Sequence, residues 1–170
     1  MSDNSAIMYI LMRTDLPSMN PGKAMAQAAH ASNQCVREIR KKLKDGAQKG
    51  PASPSLSDMF ESWEAQTHHG FGTTIVLGAT GRELGNILDK MKFSCSKNEP
   101  MCVFGEVLDP TYPISIPNSD VASLLTRDIT LVKNEETGSL TALIPMVTCG
   151  YVFGVKEEVQ PFLEGLSLHP

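Results

Sequence analysis

The sequence predicts an α/β fold, a three-layer α/β/α sandwich around a small mixed sheet of about four or five strands. Three observations carry that expectation. Twice a short apolar or β-branched run feeds a segment of helical period, first residues 7–12 into 23–43 and then residues 73–78 into 81–92. A third apolar run, residues 101–108, ends in a segment punctuated by prolines. The chain of 170 residues, 41% hydrophobic and 20% charged, is expected to form one domain, 1–170, with a core of ordinary size.

The first element, Ile7, Met8, Tyr9, Ile10, Leu11 and Met12, is continuously apolar, short, and stops at Arg13-Thr14-Asp15. That pattern reads as a strand covered on both faces. A loop with Pro17, Asn20, Pro21 and Gly22 follows, with Pro21 suited to the first turn of a helix and Asn20 to its cap. From Lys23 the period becomes helical: Met25, Ala28 or Ala29, Ser32, Val36, Ile39 and Leu43 make the expected inward stripe. Lys23, Gln27 and His30, spaced four and three, then share a neighbouring face near the helix start. Free backbone N–H groups and a lysine at a helix N-terminus suit an anion or a developing oxyanion, although solvated side chains satisfy the same spacing. His30, among alanines, reads as a packed residue. The crowding of Ala24, Ala26, Ala28, Ala29 and Ala31 predicts close approach of this helix to the sheet.

Residues 46–58 have the Gly, Pro and Ser content of a surface loop. Met59, Phe60 and Trp63 suggest a short amphipathic helix capped by Ser57 or Asp58, its aromatic face in the core. The next strand, residues 73–78, leads into Leu84, Ile87, Leu88 and Met91, a helical stripe. Between them Gly78, Gly81 and Gly85 imitate a dinucleotide fingerprint. The last spacing is one residue too long, the strand is not the first of the fold, and too little α/β chain follows, so a turn with a helix cap is the plainer reading.

The strand at residues 101–108 exits at Asp109, and Pro110, Pro113 and Pro117 keep the following segment stiff and extended. In open α/β sheets such strand exits are where sites form. Residues 128–132 and 139–144 flank Asn134-Glu135-Glu136-Thr137-Gly138 and read as a hairpin. Residues 147–154 form a last buried strand, and a short helix follows at 157–163.

Net charge of −4 argues against a protein that coats nucleic acid indiscriminately. Charge is nevertheless local: Arg37, Arg40, Lys41, Lys42, Lys44 and Lys49 crowd the end of the first helix against Glu38 and Asp45. These cations either complement the helix dipole or make a landing patch for phosphates. Cys35, Cys95, Cys102 and Cys149 lack C-x-x-C pairing, and His68-His69 lacks a partner at ligand spacing, so neither a metal site nor a redox motif is signalled. The N-terminal residues lack the basic start and long apolar stretch of a secretory signal, and no run approaches membrane-spanning length, which together predict a cytoplasmic protein.

Two segments carry a resemblance. Met12-Arg13-Thr14-Asp15-Leu16 followed by Gly22-Lys23-Ala24-Met25-Ala26-Gln27-Ala28-Ala29-His30-Ala31 resembles the signature of the type-2 peptidyl-tRNA hydrolases, R-x-D-L then G-K-x-A-A-Q-x-x-H-A. Further on, the family's D-A-G-R-T-x-[IV]-x-P-G-[ST] is met at Asp109, Pro117 and Ser119 without a gap, while Ala-Gly-Arg-Thr becomes Pro110-Thr111-Tyr112-Pro113 and the glycine becomes Asn118. Residues 147–154 resemble T-x-L-A-I-G-P, and Leu166-Ser167-Leu168 resembles a closing L-K-L, leaving insertions near 46–70 and 120–146.

The resemblance implies hydrolysis of the ester joining a peptidyl group to the 3′ ribose of tRNA, with no metal and no cofactor. It places Lys23 in the active site. Ester cleavage by water needs a group to orient the water, one to receive the oxyanion and one to seat the nucleic-acid end. Lys23, Asp109, Ser119 and Gln27 are the expected catalytic set: Asp109 on the water, Lys23 on the oxyanion or a phosphate, Ser119 and Gln27 on substrate or water. Arg13, Asp15, Arg37, Arg40, Lys41 and Lys42 are the expected contacts to substrate and tRNA. The implied partner is the acceptor end of peptidyl-tRNA; the family commonly forms homodimers, and no membrane partner is expected. A binding module that has kept the fold and lost turnover with the altered segment after Asp109 is the alternative, and an oxidoreductase built on residues 78–85 is a third.

Overall fold

The structure, a computed structural model, describes residues 5–16, 18–46, 54–95, 102–116 and 129–170. Its centre is β1 (Ala6–Arg13), which pairs parallel with β2 (Thr74–Ala79) and antiparallel with β5 (Leu140–Val155). β3 (Val103–Ile116) covers the far edge of β5, and β6 (Ser167–Leu168) the far edge of β2, giving the order β3-β5-β1-β2-β6. β4 (Thr130–Lys133) also pairs with β5, so the mixed sheet has six strands, β6 being two residues long.

The continuous apolar run of β1 is explained by cover on both faces. Met8, Ile10 and Met12 point into a core shared with α1 (Pro21–Lys44) and α2 (Leu56–Glu64). Ile7, Tyr9 and Leu11 point the other way, against Leu84, Ile87, Leu88 and Met91 of α3 (Gly81–Cys95). The short α4 (Lys156–Val159) and a 3₁₀ turn (Gln160–Phe162) complete the second face, with Val159 and Leu163 in its core. The sandwich therefore has helices on both sides of the sheet, as expected. None of the described helices is long and apolar enough to cross a membrane.

α1 begins as the sequence predicts, with Pro21 in its first turn and the Asn20 side chain accepting from the Lys23 N–H at 3.0 Å. Its inward face in the first half is one residue away from the expected one. Ala24, Gln27, Ala31, Cys35 and Ile39 are buried, whereas Met25 is 70% exposed. Alanines carry little hydrophobic signal, and a polar Gln27 disguises the buried side; the larger Met25 marked the wrong stripe. Ala28, Val36 and Leu43 do pack against the core. His30, expected to be packed, is exposed.

α2 is capped two residues before the expected position: the Ser55 hydroxyl accepts from Asp58 N–H, and the Asp58 carboxylate accepts from Ser55 N–H, both at 3.1 Å. Its aromatic face is core, Phe60 and Trp63 packing with Phe153 at ring distances of 5.9 to 6.2 Å. Trp63 Nε1 donates to the Thr73 carbonyl at 2.9 Å, which ties α2 to the start of β2.

The second half departs from expectation in continuity. β3 does not stop at Leu108 but runs to Ile116, and the hairpin strand expected at 139–144 is the first part of β5. The ladder between them is interrupted where Pro110 and Thr111 face Pro145, so prolines sit at a bulge that needs no N–H donor, and Pro113 lies on the sheet's edge strand. The hairpin itself forms, closed by Asn134 and by Gly138 at a φ of 70°.

Candidate active site at the seam of α1 and β3

The bulge in β3 sets the site. Asp109 stands at its start, half-buried, on the side that α1 covers. One carboxylate oxygen, Oδ1, accepts from its own strand, the Thr111 N–H, at 2.9 Å. The other, Oδ2, accepts from Gln27 Nε2 at 2.7 Å. Gln27 is only 5% exposed because its other end is also occupied: Thr148 of β5, fully buried, donates its hydroxyl to Gln27 Oε1 at 2.6 Å. Cys149 Sγ reaches the Gln27 backbone carbonyl at 3.4 Å. Burial pushes the Cys149 thiol up to about 12, so at neutral pH it stays protonated and can donate that bond.

Lys23 lies one helical turn before Gln27, half-exposed, with Nζ 5.2 Å from the centroid of the Tyr112 ring. Tyr112, three residues beyond Asp109, is 1% exposed, its hydroxyl against Met19 Sδ at 3.9 Å. Ser18 donates to the Pro113 carbonyl at 2.9 Å, closing the loop before α1 onto the same strand. Among the described residues neither Lys23 nor Asp109 has an ion-pair partner. The result is an exposed seam carrying a carboxylate oriented by neutral donors and an unpaired ammonium above an aromatic ring. Both ends of the Gln27 amide are engaged within the protein, Nε2 with Asp109 and Oε1 with Thr148.

Ser119 lies outside the described residues. Arg13 and Asp15 are placed, and the contacts the structure gives them are with each other and with the frame around them. Arg13 Nη2 and Nε donate to the two Asp15 oxygens, and Nη1 donates to the Val147 carbonyl at 3.0 Å. Asp15 also accepts from the Gly81 N–H, at 3.1 and 3.2 Å, at the first turn of α3. The Arg13 guanidinium, with help from that N–H, holds the Asp15 carboxyl below its usual range.

The same corner disposes of the dinucleotide imitation. Glu83 accepts from the Thr80 N–H at 2.7 Å and Asp15 from Gly81, so the α3 N-terminus, where a pyrophosphate must sit, already holds two carboxylates. The glycines serve packing: a Cβ on Gly81 would lie 2.8 Å from Arg13 Cζ, and one on Gly78 would lie 2.9 Å from Thr14 Cγ2. Gly85 has open space around it.

The basic residues of α1 lie apart from the seam. Arg37, Arg40, Lys41 and Lys42 are exposed in its second half, roughly 20 Å or more along the axis from Lys23 at 1.5 Å per residue. Arg37 and Lys41 line a shallow hollow with Asn33, Gln34 and Glu38. Arg40 instead reaches α2, its Nη2 3.5 Å from Glu64 Oε1 and its Cζ 5.9 Å from the Phe60 ring centroid. Among the described residues there is no group of three or more His, Cys, Asp or Glu side chains placed to hold a metal ion.

Sequence reasoning missed Thr148 and Tyr112. The one available signal was the match of Thr148 to the threonine of the family's T-x-L-A-I-G-P.

Comparison with known proteins adds three findings. No curated protein matches the chain. A solved structure titled as a protein of unknown function from Agrobacterium tumefaciens strain C58 aligns over 100% of both chains at 11% identity, with a TM-score of 0.43, a likeness that supports no functional argument. The model of the family described as peptidyl-tRNA hydrolase PTH2 matches residues 6–94, from β1 through α3, a span that includes Lys23 and the Gln27 that holds Asp109. More than half of the chain lies within that match, and the chain belongs to the peptidyl-tRNA hydrolase PTH2 family.

Proposed function

We propose that this protein hydrolyses the ester bond of peptidyl-tRNA in the cytoplasm, releasing peptide and free tRNA without a metal or an organic cofactor. Asp109 orients the attacking water and takes its proton as the water oxygen bonds to the ester carbonyl carbon. Lys23 donates to the oxyanion that forms. Collapse of that intermediate breaks the bond to the ribose oxygen, which leaves as the tRNA hydroxyl on receiving the proton that Asp109 took from the water. Ser119 hydrogen-bonds substrate, and the exposed Arg37, Lys41 and Lys42, with Arg40 beside them, bind phosphates of the tRNA body. The observation that carries the reading is the 2.7 Å contact between Gln27 and Asp109, because it joins the family's lysine-bearing helix to the carboxylate beyond the matched span.

Turnover of purified peptidyl-tRNA tests it. Lys23→Ala should lower the rate about a hundred- to a thousandfold with the fold intact by circular dichroism. Wild-type-like turnover in that variant removes Lys23 from the chemistry.

Tyr112 favours a second reading. It stands where the family pattern has arginine, is buried, and lies under the Lys23 ammonium, so the segment resembles a packed wall more than a substrate grip. On that reading the protein holds an RNA end or a protein without cleaving anything. Tight tRNA binding with no turnover by the wild-type chain would select it.

A further inference from the structure

We propose that Thr148 is a positioning residue for this reaction: its buried hydroxyl fixes which way round the Gln27 amide stands, and so fixes the carboxylate of Asp109. The proposal rests on the hydrolytic reading above and deepens it. A glutamine amide fits its space in two orientations of nearly equal shape and opposite polarity. Only one presents N–H to the carboxylate; the other sets Oε1 against Asp109 Oδ2 at a separation of 2.7 Å, with two acceptors facing each other.

The far end of the amide decides between them. In the productive orientation Oε1 needs a donor, and Thr148 supplies its single hydroxyl proton at 2.6 Å. The competing acceptors for that proton are the Val107 carbonyl at 3.5 Å and Cys149 Sγ at 4.0 Å, each at the outer limit of a hydrogen bond. Thr148 has no exposed surface and Gln27 has 5%, which leaves bulk water no place as a substitute donor. A β-branched side chain in a strand has few χ1 choices, so the hydroxyl is held in direction as well as in place. Cys149, the next residue, holds the Gln27 backbone carbonyl and keeps that turn of α1 seated on β5. The line of contacts Thr148, Gln27, Asp109 thus runs from the core to the exposed seam, and its last member also receives the Thr111 N–H.

Removing the hydroxyl leaves a buried acceptor on Gln27 without a donor, frees the amide to turn, and lets Asp109 rotate away from the water it orients. A threonine that merely fills the core predicts none of this beyond a change in stability.

The test uses the whole chain and three readouts. In 15N-labelled wild-type protein the Gln27 side-chain NH2 protons should exchange with solvent about tenfold or more slowly than those of an exposed glutamine. Exchange as fast as an exposed side chain overturns the proposal. Thr148→Val should speed that exchange and move the resonances, and Thr148→Ser should restore both; an unchanged Gln27 signal in folded Thr148→Val overturns it whether or not the protein cleaves anything. In turnover of peptidyl-tRNA, Thr148→Val should lose about ten- to a hundredfold in kcat with KM nearly unchanged, and Thr148→Ser should recover it. If Thr148→Val does not fold, Thr148→Ser decides: retention of the amide signal supports the hydroxyl, and its loss overturns it. A wild-type chain with a protected Gln27 amide but no turnover refutes the hydrolytic reading while leaving the amide assignment standing.

Discussion

Two aspartates, Asp15 and Asp109, stand where a strand of this sheet ends or is interrupted, and their surroundings are opposite in kind. Asp15, just past β1, meets a full cation: the Arg13 guanidinium takes both oxygens, and the Gly81 N–H adds to it. Asp109, at the bulge in β3, meets only neutral donors, the Gln27 amide and the Thr111 N–H. A carboxylate neutralised by its own neighbour acts as a strut, here joining the end of β1 to the start of α3. A carboxylate oriented without being neutralised can still act on something that arrives from solvent. The difference teaches that a motif's charged residues need not share a setting: Arg13 and Asp15 pair with each other, and Lys23 faces the seam.

The sharpest way to break the comparison is to neutralise each carboxylate in turn. Asp109→Asn should lower peptidyl-tRNA turnover by about two to four orders of magnitude. Its thermal stability should stay close to that of the wild type, since an asparagine oxygen can still accept from Gln27 or Thr111. Equal turnover in Asp109→Asn and wild type would end the distinction.

On the other corner, Gly81→Ala brings a methyl group to within 2.8 Å of Arg13 Cζ and must displace the guanidinium from Asp15. We expect a loss of about 1–3 kcal/mol in denaturant titration; an unchanged midpoint would show that Arg13 is free to move. Asp15→Asn should cost less, about 1 kcal/mol, with turnover retained. Its pH dependence is informative. Because Arg13 and Gly81 hold the folded-state pKa below the ordinary 3.8, the wild-type carboxylate stabilises the fold above about pH 4. That advantage over Asp15→Asn should shrink as pH falls through the lowered value. A stability gap that is constant down to pH 2 would remove the ion pair as its cause. The smallest effect has the opposite sign: Gly85→Ala, in an exposed helical position with open space, should stabilise by about 0.5–1 kcal/mol. A loss of stability there would mean that the third glycine of the imitation fingerprint has a use the structure does not reveal.

Local signals in the chain were read well where the physics is local. Asn20 and Pro21 begin α1 because a cap and a fixed φ act within three residues. Met59, Phe60 and Trp63 face inward because a short helix with three large apolar groups has one way to bury them. Asn134 to Gly138 turn the chain because only a few residue types adopt that backbone cheaply. The misreadings are equally specific. Met25 outweighed Ala24 and Gln27 because periodicity weighs size and polarity, while the sheet selects small residues for close approach and accepts an amide whose partners are supplied. Pro110 and Pro113 suggested an end to the third strand where β3 carries on, because a bulge and an outer edge remove the need for an N–H.

By itself the sequence determined the α/β class, the strand–loop–helix unit around Lys23 and the family pattern, since each is written in neighbours a few residues apart. Only the tertiary structure decided that Gln27 serves Asp109, that Arg13 and Asp15 serve each other and α3, and that Thr148 stands behind them. Apart from Arg13 with Asp15, those pairings join residues 66 to 121 positions apart. Partners at such separations are chosen by how the layers pack, which no local pattern records.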